Sequence, residues 1–258
     1  MTVTIDGPES GFLQTINTTV NLAGSFTPTA NTGTYSAYWT VSDATDTDTV
    51  IPATVVGFSV SGQAQFTTPG VYSTTLTVAD GVGTVGEADL VRNDLPAYVV
   101  IYDPNGGYVT GGGWINSPAG AFHPDLIGWE GVTGKATFGF VSRYKKGVNL
   151  PTGDTEFKFK AGNLTFASTA YQWLTVAGAR AQYKGWGMIN DAGDYGFLLT
   201  AIDGALLGTG QPDRFRIKIW ENDSGIVVYD NQSSGDNADL TTEGTRVAGG
   251  NIVIHKEK

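Results

Sequence analysis

The sequence predicts an all-β protein of two domains, and its composition gives the first support. Glycine supplies 36 of the 258 residues, about twice its usual share of roughly 7%. Charged residues make up only 16% of the chain, against a usual share of about 25%. This composition, rich in Thr, Val and aromatic residues, is typical of short strands joined by tight turns. We expect two β-sandwich domains: an Ig-like one at 1–102 and a larger antiparallel one, sandwich or jelly-roll-like, at 103–258.

The first half predicts closely spaced strands. Strands are predicted at 18–26, 36–42, 71–78, 84–91 and 97–102, where apolar residues alternate with polar ones or β-branched residues cluster. Roughly seven strands in about a hundred residues are typical of an Ig-like sandwich. Trp39, the single Trp of this half, is then expected between the sheets. Tyr72, which opens a late strand, is expected to clamp a corner of the sandwich.

Three segments of this half carry a family resemblance. Residues 66–80 resemble the closing strands of a PKD domain, and residues 5–8 and 20–26 resemble its opening strands. The resemblance covers residues 1 to 102 and implies the same Ig-like sandwich. The family's usual Trp-Asp-Phe-Gly-Asp-Gly signature is replaced here by Trp-Thr-Val-Ser-Asp at 39–43. A site built on that signature is therefore not carried over to this chain.

The second half has the clearest strand pattern. Residues 213–220 alternate strictly, with Phe215, Ile217 and Ile219 on one face and Arg214, Arg216 and Lys218 on the other. A period of two with charges on one face indicates a half-buried antiparallel strand. Further strands are predicted at 108–115, 134–144, 155–160, 163–168, 171–177, 179–187, 194–202, 225–230 and 250–255. About ten strands favour a sandwich or a jelly roll.

Four of these segments carry a second resemblance. Residues 108–115, 135–140, 193–197 and 213–220 are similar to a C-terminal module that follows PKD or other Ig-like repeats in large bacterial surface proteins. The resemblance covers nearly all of 103–258 and implies an extracellular or cell-surface location. It brings no known activity with it.

Charge is distributed unevenly along the chain. Residues 1–103 contain ten acids and one base, whereas 104–258 contain fifteen acids and fourteen bases, for a net charge of −10. The asymmetry supports a domain boundary near residue 103, where the turn-forming segment 103–107 lies. It argues against nucleic acid as a partner, because the first half would repel it and the second has no net positive charge.

No segment predicts a membrane span or a signal peptide. The chain lacks a run of about 18 apolar residues. Residues 1–6 lack a basic region followed by an apolar stretch, so we expect this sequence to be a fragment of a longer secreted or surface protein. The absence of Cys excludes disulfides and cysteine metal sites.

Residues that could carry catalysis are few. His123 and His255 are the only two His and lie in different segments, whereas a metal site or a nucleophile–base pair usually needs more. Glu130 beside Trp129 could serve a glycosidase, but the sequence marks no second carboxylate as its partner. We therefore expect no enzyme activity.

Calcium is the ion that the sequence favours most. Ca²⁺ takes six to eight oxygen ligands, and Asp-rich loops supply them. The candidate ligands are Asp43, Asp46, Asp48, Asp191, Asp194, Asp230, Asp236 and Asp239. None of these loops has the EF-hand pattern, and Asp is also a good turn residue, so the alternative is a purely conformational role.

Sugar binding is the other open possibility. Aromatic rings stack on sugar faces, and carboxylates bind sugar hydroxyls. The candidates are Trp129 with its neighbour Glu130, and Trp186, together with three further rings, Tyr171, Trp173 and Tyr183. Trp186 lies between two glycines, which leave its ring uncovered. The alternative is that these rings belong to the core, as most aromatic residues of a sandwich do.

The leading interpretation is a non-enzymatic extracellular structural or adhesion segment, a rigid spacer followed by an interaction module. The alternative is a calcium-supported carbohydrate-binding module. The expected partners are other surface proteins, neighbouring copies of the chain or extracellular glycans. An exposed row of aromatic residues on one sheet would favour the alternative, whereas fully packed aromatic residues would favour the spacer.

The basic face of Arg214, Arg216 and Lys218, together with Lys158 and Lys160, is either a solvated sheet face or a partner for the acidic first half, within one chain or head-to-tail between copies. Head-to-tail contacts of this kind generate filaments when they do not close into a ring. We expect an association that weakens as salt is added, measured by light scattering. A strictly monomeric profile at low salt would contradict this expectation.

Overall fold

Strands make up nearly all of the regular structure, which confirms the predicted all-β class. The structure is a computed structural model that describes residues 1–30, 33–45, 47–123, 128–232 and 244–256. The chain divides into two compact units, Met1–Tyr102 and Asp103–Lys258. This division falls at the position where the charge of the sequence changes.

The first unit contains two sheets. Its strands are β1 (Thr2–Gly7), β2 (Phe12–Thr15), β3 (Thr19–Thr27), β4 (Tyr35–Ser42), β5 (Asp48–Pro52), β6 (Thr54–Val56), β7 (Ser59–Gln65), β8 (Gly70–Asp80), β9 (Val85–Ala88) and β10 (Tyr98–Tyr102). One sheet has the order β1-β3-β7-β6, and the other has the order β2-β10-β8-β4-β5, with β9 added to β8. All neighbours are antiparallel except β2 and β10.

Trp39 of β4 lies at the centre of the first unit's core. Its side chain is fully buried, in a cluster that combines residues of both sheets, which confirms the prediction that it fills the space between them. In β3 the alternating pattern buries Val20 and Leu22 in the same cluster. Tyr72 donates its hydroxyl hydrogen to the carbonyl oxygen of Thr68 at 2.8 Å, so this ring ties the start of β8 to the preceding loop.

The second unit is one continuous antiparallel sheet in the described residues. Its strands are β11 (Tyr108–Ser117), β12 (Gly134–Tyr144), β13 (Pro151–Phe159), β14 (Leu164–Ala177), β15 (Arg180–Ile189), β16 (Ala192–Ile202), β17 (Arg214–Glu221), β18 (Val227–Asp230), β19 (Thr245–Arg246) and β20 (Gly249–His255). A 3-10 helix spans Lys160–Gly162, and the short helix α1 spans Gly204–Leu207. From β11 to β17 every strand pairs with the next strand along the chain.

The last strands close this sheet. β19 pairs with β17 and β20 pairs with β11, so the chain's final segment joins the two edges of the meander. Two carboxylates hold β20 in place. The backbone N–H of Ile252 donates to Asp213 at 2.7 Å, and that of Ile254 donates to Asp203 at 3.0 Å. The strand order is therefore an antiparallel meander whose two edges are joined by the final segment, in agreement with the antiparallel all-β character expected for this half. The alternation of residues predicts how many strands form, but it does not encode which strands pair.

The interior of the closed sheet is filled by aromatic side chains. Phe138 stacks on Phe215 with ring centroids 4.1 Å apart, and Phe157 lies 4.6 Å from Tyr229. All four rings are buried. Burial raises the pKa of the Tyr229 hydroxyl. The same hydroxyl donates a hydrogen bond to Ser117. The interior is therefore a packed core.

Arg216 departs from the predicted solvent-facing basic row. It lies on the outer face of β17 but is only 3% exposed. Its Nε and Nη2 donate to Oδ1 and Oδ2 of Asp230 at 2.9 and 2.6 Å. A bidentate pair of this geometry offsets part of the cost of burying both charges. Arg216 thus joins β17 to the end of β18, a contact that depends on cross-strand register.

Replacing Asp230→Asn should destabilise the second unit by about 3–5 kcal/mol, because the Arg216 guanidinium stays buried without its counter-charge. Urea unfolding followed by tryptophan fluorescence measures the loss. The matched control is Glu156→Gln, which breaks the half-exposed Lys158–Glu156 pair and should cost under about 1 kcal/mol. Equal losses in the two variants would contradict the structural role of the buried pair.

Candidate functional site

Two tryptophans and a glycine form a row across three strands of the second unit. Trp186 of β15 is paired with Gly196 of β16, and Gly196 is paired with Trp220 of β17. The next pairs along these strands include Phe197 and Ile219, which are fully buried in the interior. Because side chains alternate along a strand, Trp186, Gly196 and Trp220 face outward. We call these three residues the indole row.

Gly196 allows the Trp220 ring to lie over the backbone of β16. A Cβ atom at this position would overlap the indole of Trp220, so any other residue would push the ring away. Trp186, on the far side of Gly196, is 39% exposed, and Trp220 is half-buried. The indole row is thus a partly exposed aromatic surface on the outside of the closed sheet.

A cation accompanies the indole row. The Nζ atom of Lys184 lies 5.5 Å from the ring centroid of Trp220, within the range of a cation–π contact. The exposed Trp186 indole offers an apolar surface on which the C–H face of a sugar ring can stack, and the indole N–H groups and the ammonium group can donate hydrogen bonds. This combination of an open apolar surface and a few donors suits a neutral polymer that lies across the sheet.

The loop between β11 and β12 carries the second predicted sugar candidate. Trp129 is 42% exposed and packs edge to face on Phe122, with ring centroids 5.2 Å apart. Phe122 in turn contacts Phe159 of the interior, and its backbone forms a bridge with Tyr229. Trp129 is therefore anchored through Phe122 on one side and open on the other.

Glu130 stabilises its own loop. Both of its carboxylate oxygens accept a hydrogen bond from the Gly128 N–H, each at 3.0 Å, and this bond lowers the pKa of Glu130. A general acid of a glycosidase needs the opposite shift, a raised pKa. The hydrogen bonding of Glu130 is that of a loop residue, and the residue remains beside the exposed ring of Trp129.

His123 packs between the loop and the core. Its ring lies 4.4 Å from Phe122 and 5.7 Å from Trp129, and burial lowers its pKa. Its Nδ1 atom is buried and has no hydrogen-bond partner among the described residues. His255, far away on β20, stacks on Tyr108 with ring centroids 4.2 Å apart. The structure does not bring the two His together with each other.

Three of the predicted calcium ligands are engaged by protein groups. Asp43 Oδ1 accepts hydrogen bonds from the backbone N–H groups of Thr45 and Thr47 at 2.8 and 3.1 Å, as a turn residue does. Asp48 accepts from the hydroxyl of Ser42 at 2.6 Å. Asp230 differs most from the prediction, because Arg216 occupies both of its oxygens.

The other calcium candidates lie in a turn, near the start of β16 or outside the described residues. Asp191 has a positive φ of 62° in the turn between β15 and β16, and Asp194 is exposed nearby. Asp46, Asp236 and Asp239 lie outside the described residues. Within the described residues no group of three His, Cys, Asp or Glu side chains is placed to hold a metal ion. Calcium binding stays a prediction.

Sequence reasoning named Trp186 but missed its two partners. Three other candidate rings, Tyr171, Trp173 and Tyr183, are buried, so their prediction as sugar-stacking rings is wrong. The alternation of residues 213–220 already puts Trp220 on the same face as Arg214 and Lys218, so that signal was available. The pairing of Trp186 with Gly196 depends on the register of a hairpin, which the alternation does not fix.

Replacing Gly196→Ala should displace the Trp220 indole and destabilise the second unit by about 1–3 kcal/mol, because the added methyl group overlaps the ring. Near-UV circular dichroism and thermal unfolding measure the two effects. Gly139→Ala is the matched control: Gly139 lies in β12, and a Cβ atom there meets no atom within 4 Å. The same change in both variants would show that the Trp220 ring does not rest on Gly196.

Comparisons with known proteins leave the family open. No protein-family model matches the chain, and no curated protein matches it at a significant level. The resemblances to a PKD domain and to a C-terminal surface-protein module therefore remain predictions. In the described part of the chain, no helix has the length and apolar character needed to cross a membrane.

Proposed function

We propose that the chain is a non-enzymatic adhesion segment of an extracellular bacterial protein and that its second unit binds a polysaccharide through the indole row. The observation that carries the proposal is the placement of Trp186 and Trp220 on one outer sheet face, on either side of Gly196. A core role would place both rings in the interior, and Trp186 is instead 39% exposed.

The shape of the second unit favours binding on its surface. Among the described residues, aromatic side chains such as Phe138 and Phe215 pack against one another in the interior of the closed sheet, so we place the ligand on the outside. The indole row is open to the side, so a long chain can lie across it without threading into a cavity. Stacking on aromatic rings stabilises such a complex through the apolar faces of successive sugars.

The first unit suits the role of a spacer. Its sheet orders, with β2 parallel to β10 at one edge and Trp39 between the sheets, support the proposal of an Ig-like sandwich. Its core is compact and its aromatic residues, such as Phe26 and Tyr35, pack on one another. The extracellular location rests on the resemblance to modules of bacterial surface proteins.

A pull-down on a panel of insoluble neutral polysaccharides tests the proposal. We expect the chain to be retained on at least one of them, and Trp186→Ala/Trp220→Ala to lose retention by about tenfold or more, because stacking of each ring contributes on the order of 1 kcal/mol. Trp114→Ala is the matched control, since Trp114 is also an outward, half-buried ring beside a cation, Lys135, but lies on β11. Equal losses in the two variants would contradict the assignment of the indole row.

The same pull-down, run in calcium and again in EDTA, tests the ion. Retention that disappears in EDTA would support a calcium-supported carbohydrate-binding module. Retention that is unchanged in EDTA would support binding through the indole row that does not require calcium. Failure to retain the chain on any polysaccharide in either buffer would overturn the proposal and leave a structural segment that contacts proteins.

A further inference from the structure

A cleft of about 290 Å³ opens in the second unit, where β12 ends and β11 begins. Arg143, Lys145 and Lys146 line one part of it, and Pro104 and Tyr108 line another. The backbone of Lys145 accepts a hydrogen bond from the N–H of Val148, so the two lysines stand on a defined turn. The indole row lies near the opposite ends of the strands, so the cleft is a separate surface.

The three cations of this cleft are uncompensated. All three are exposed, and within the described residues no carboxylate lies at ion-pair distance from any of them. Other bases behave differently: Arg216 pairs with Asp230, and Lys158 pairs with Glu156. Three like charges within four residues, in a chain of net charge −10, create a local positive potential that attracts anions.

The cleft also has a fixed aromatic wall. Tyr108 is paired with Arg143 across β11 and β12, so the two side chains are neighbours on the outer face. The Tyr108 ring stacks on His255 with an angle of 9° between the ring planes. His255 Nε2 also lies 3.3 Å from the Thr110 hydroxyl. These contacts fix the ring that flanks the cations.

We propose that this cleft binds an anionic sugar, through the carboxylate or sulfate groups of an acidic polysaccharide. Arg143 presents a planar fork that matches a carboxylate or sulfate, the two lysines add mobile donors, and Tyr108 offers an apolar edge to the sugar ring. The sparse charge of an acidic polysaccharide fits three cations better than the dense charge of nucleic acid, which carries about one charge per 1.7 Å of duplex. The inference deepens the proposed function by naming a ligand class at a second surface, and it rests on that function for the choice of a glycan.

Matched pairs of polysaccharides test the charge requirement. We expect immobilised polygalacturonate to retain the chain more strongly than its fully methyl-esterified form, in calcium-free buffer, and dextran sulfate to retain it more strongly than dextran. The first pair reports on carboxylates and the second on sulfates. Retention should vanish near 1 M salt, where the Debye length is about 3 Å. Equal retention on the charged and neutral members of both pairs would overturn the inference.

Matched variants test the cleft itself. Lys145→Gln/Lys146→Gln should weaken binding to the acidic polysaccharide roughly fivefold or more, because two surface ion pairs are lost together. Lys158→Gln/Lys160→Gln removes the same charge from the opposite ends of the strands and should leave binding unchanged. If both variants weaken binding to the acidic polysaccharide equally, binding depends on the overall charge of the chain, and the assignment of the cleft is overturned. Equally strong binding of single-stranded DNA through Lys145 and Lys146 would overturn the choice of a glycan.

The tryptophan variants separate this inference from the proposed function. Trp186→Ala/Trp220→Ala should weaken retention on neutral polysaccharides by about tenfold or more and leave the effect of esterification on polygalacturonate intact. If the chain is not retained on neutral polysaccharides but binds polygalacturonate more strongly than its methyl ester, the proposal for the cleft is supported and the proposal for the indole row is overturned. If the chain is retained on neutral polysaccharides but binds polygalacturonate and its methyl ester equally, the proposal for the indole row is supported and the proposal for the cleft is overturned.

Discussion

Closure of the second unit depends on one short segment near the end of the chain. β19 and β20 are joined by two residues, yet one pairs with β17 and the other with β11. The carboxylates of Asp203 and Asp213 accept hydrogen bonds from the backbone of β20, so this segment is held from the side as well as by its ladders. Without it, β11 would lose its ladder with β20 and the start of β17 would lose its pairing with β19, whereas β18 would keep its hydrogen bonds to the loop before β12.

Closure around a packed interior leaves the outside of the sheet as the place for recognition. The inward faces of the strands are occupied by Phe138, Phe215 and their neighbours, and this packing fixes the curvature of the sheet. Some outward positions, such as Arg216, are buried, but Trp186 and Arg143 are held by the same strands and stay exposed. The indole row and the basic cleft both use such positions, and each depends on residues that are adjacent only because of strand register.

Local patterns predicted the strands of the second unit well. The strict alternation of residues 213–220 corresponds to β17, and the segments 134–144 and 250–255 lie on β12 and β20. Residues 163–168 and 171–177 were expected as two strands, but they form the single strand β14, whose register shifts near Ser168 and again near Tyr171. A bulge interrupts the alternation without ending the strand, so the pattern alone suggests a break.

Long-range pairing was the part that the sequence could not supply. Asp230 looked like a loop carboxylate because its partner, Arg216, is on another strand. Gly196 carried no signal of its own, since its role appears only when Trp220 lies beside it. In the first unit β2, β5, β6 and β7 were not predicted. The first three are too brief to show a period, and β7 has only Val60 and Ala64 as buried apolar residues, so its alternation is weak. The sequence thus predicted one residue of the candidate site, Trp186. The other two, Gly196 and Trp220, are recognised only from the strand register that places them beside it.

The covered edges of the second unit restrict how copies of this chain can associate through β-pairing. The outer edge of β18 is hydrogen-bonded by the loop before β12: Asp230 N–H donates to Ala121, and His123 N–H donates to Val228. In the first unit, by contrast, β1, β2, β5 and β6 stand at the ends of their sheets. Strand addition between copies through the first unit would use one of these end strands, and Pro52 at the end of β5 limits how far it can extend there because proline cannot donate a backbone hydrogen bond.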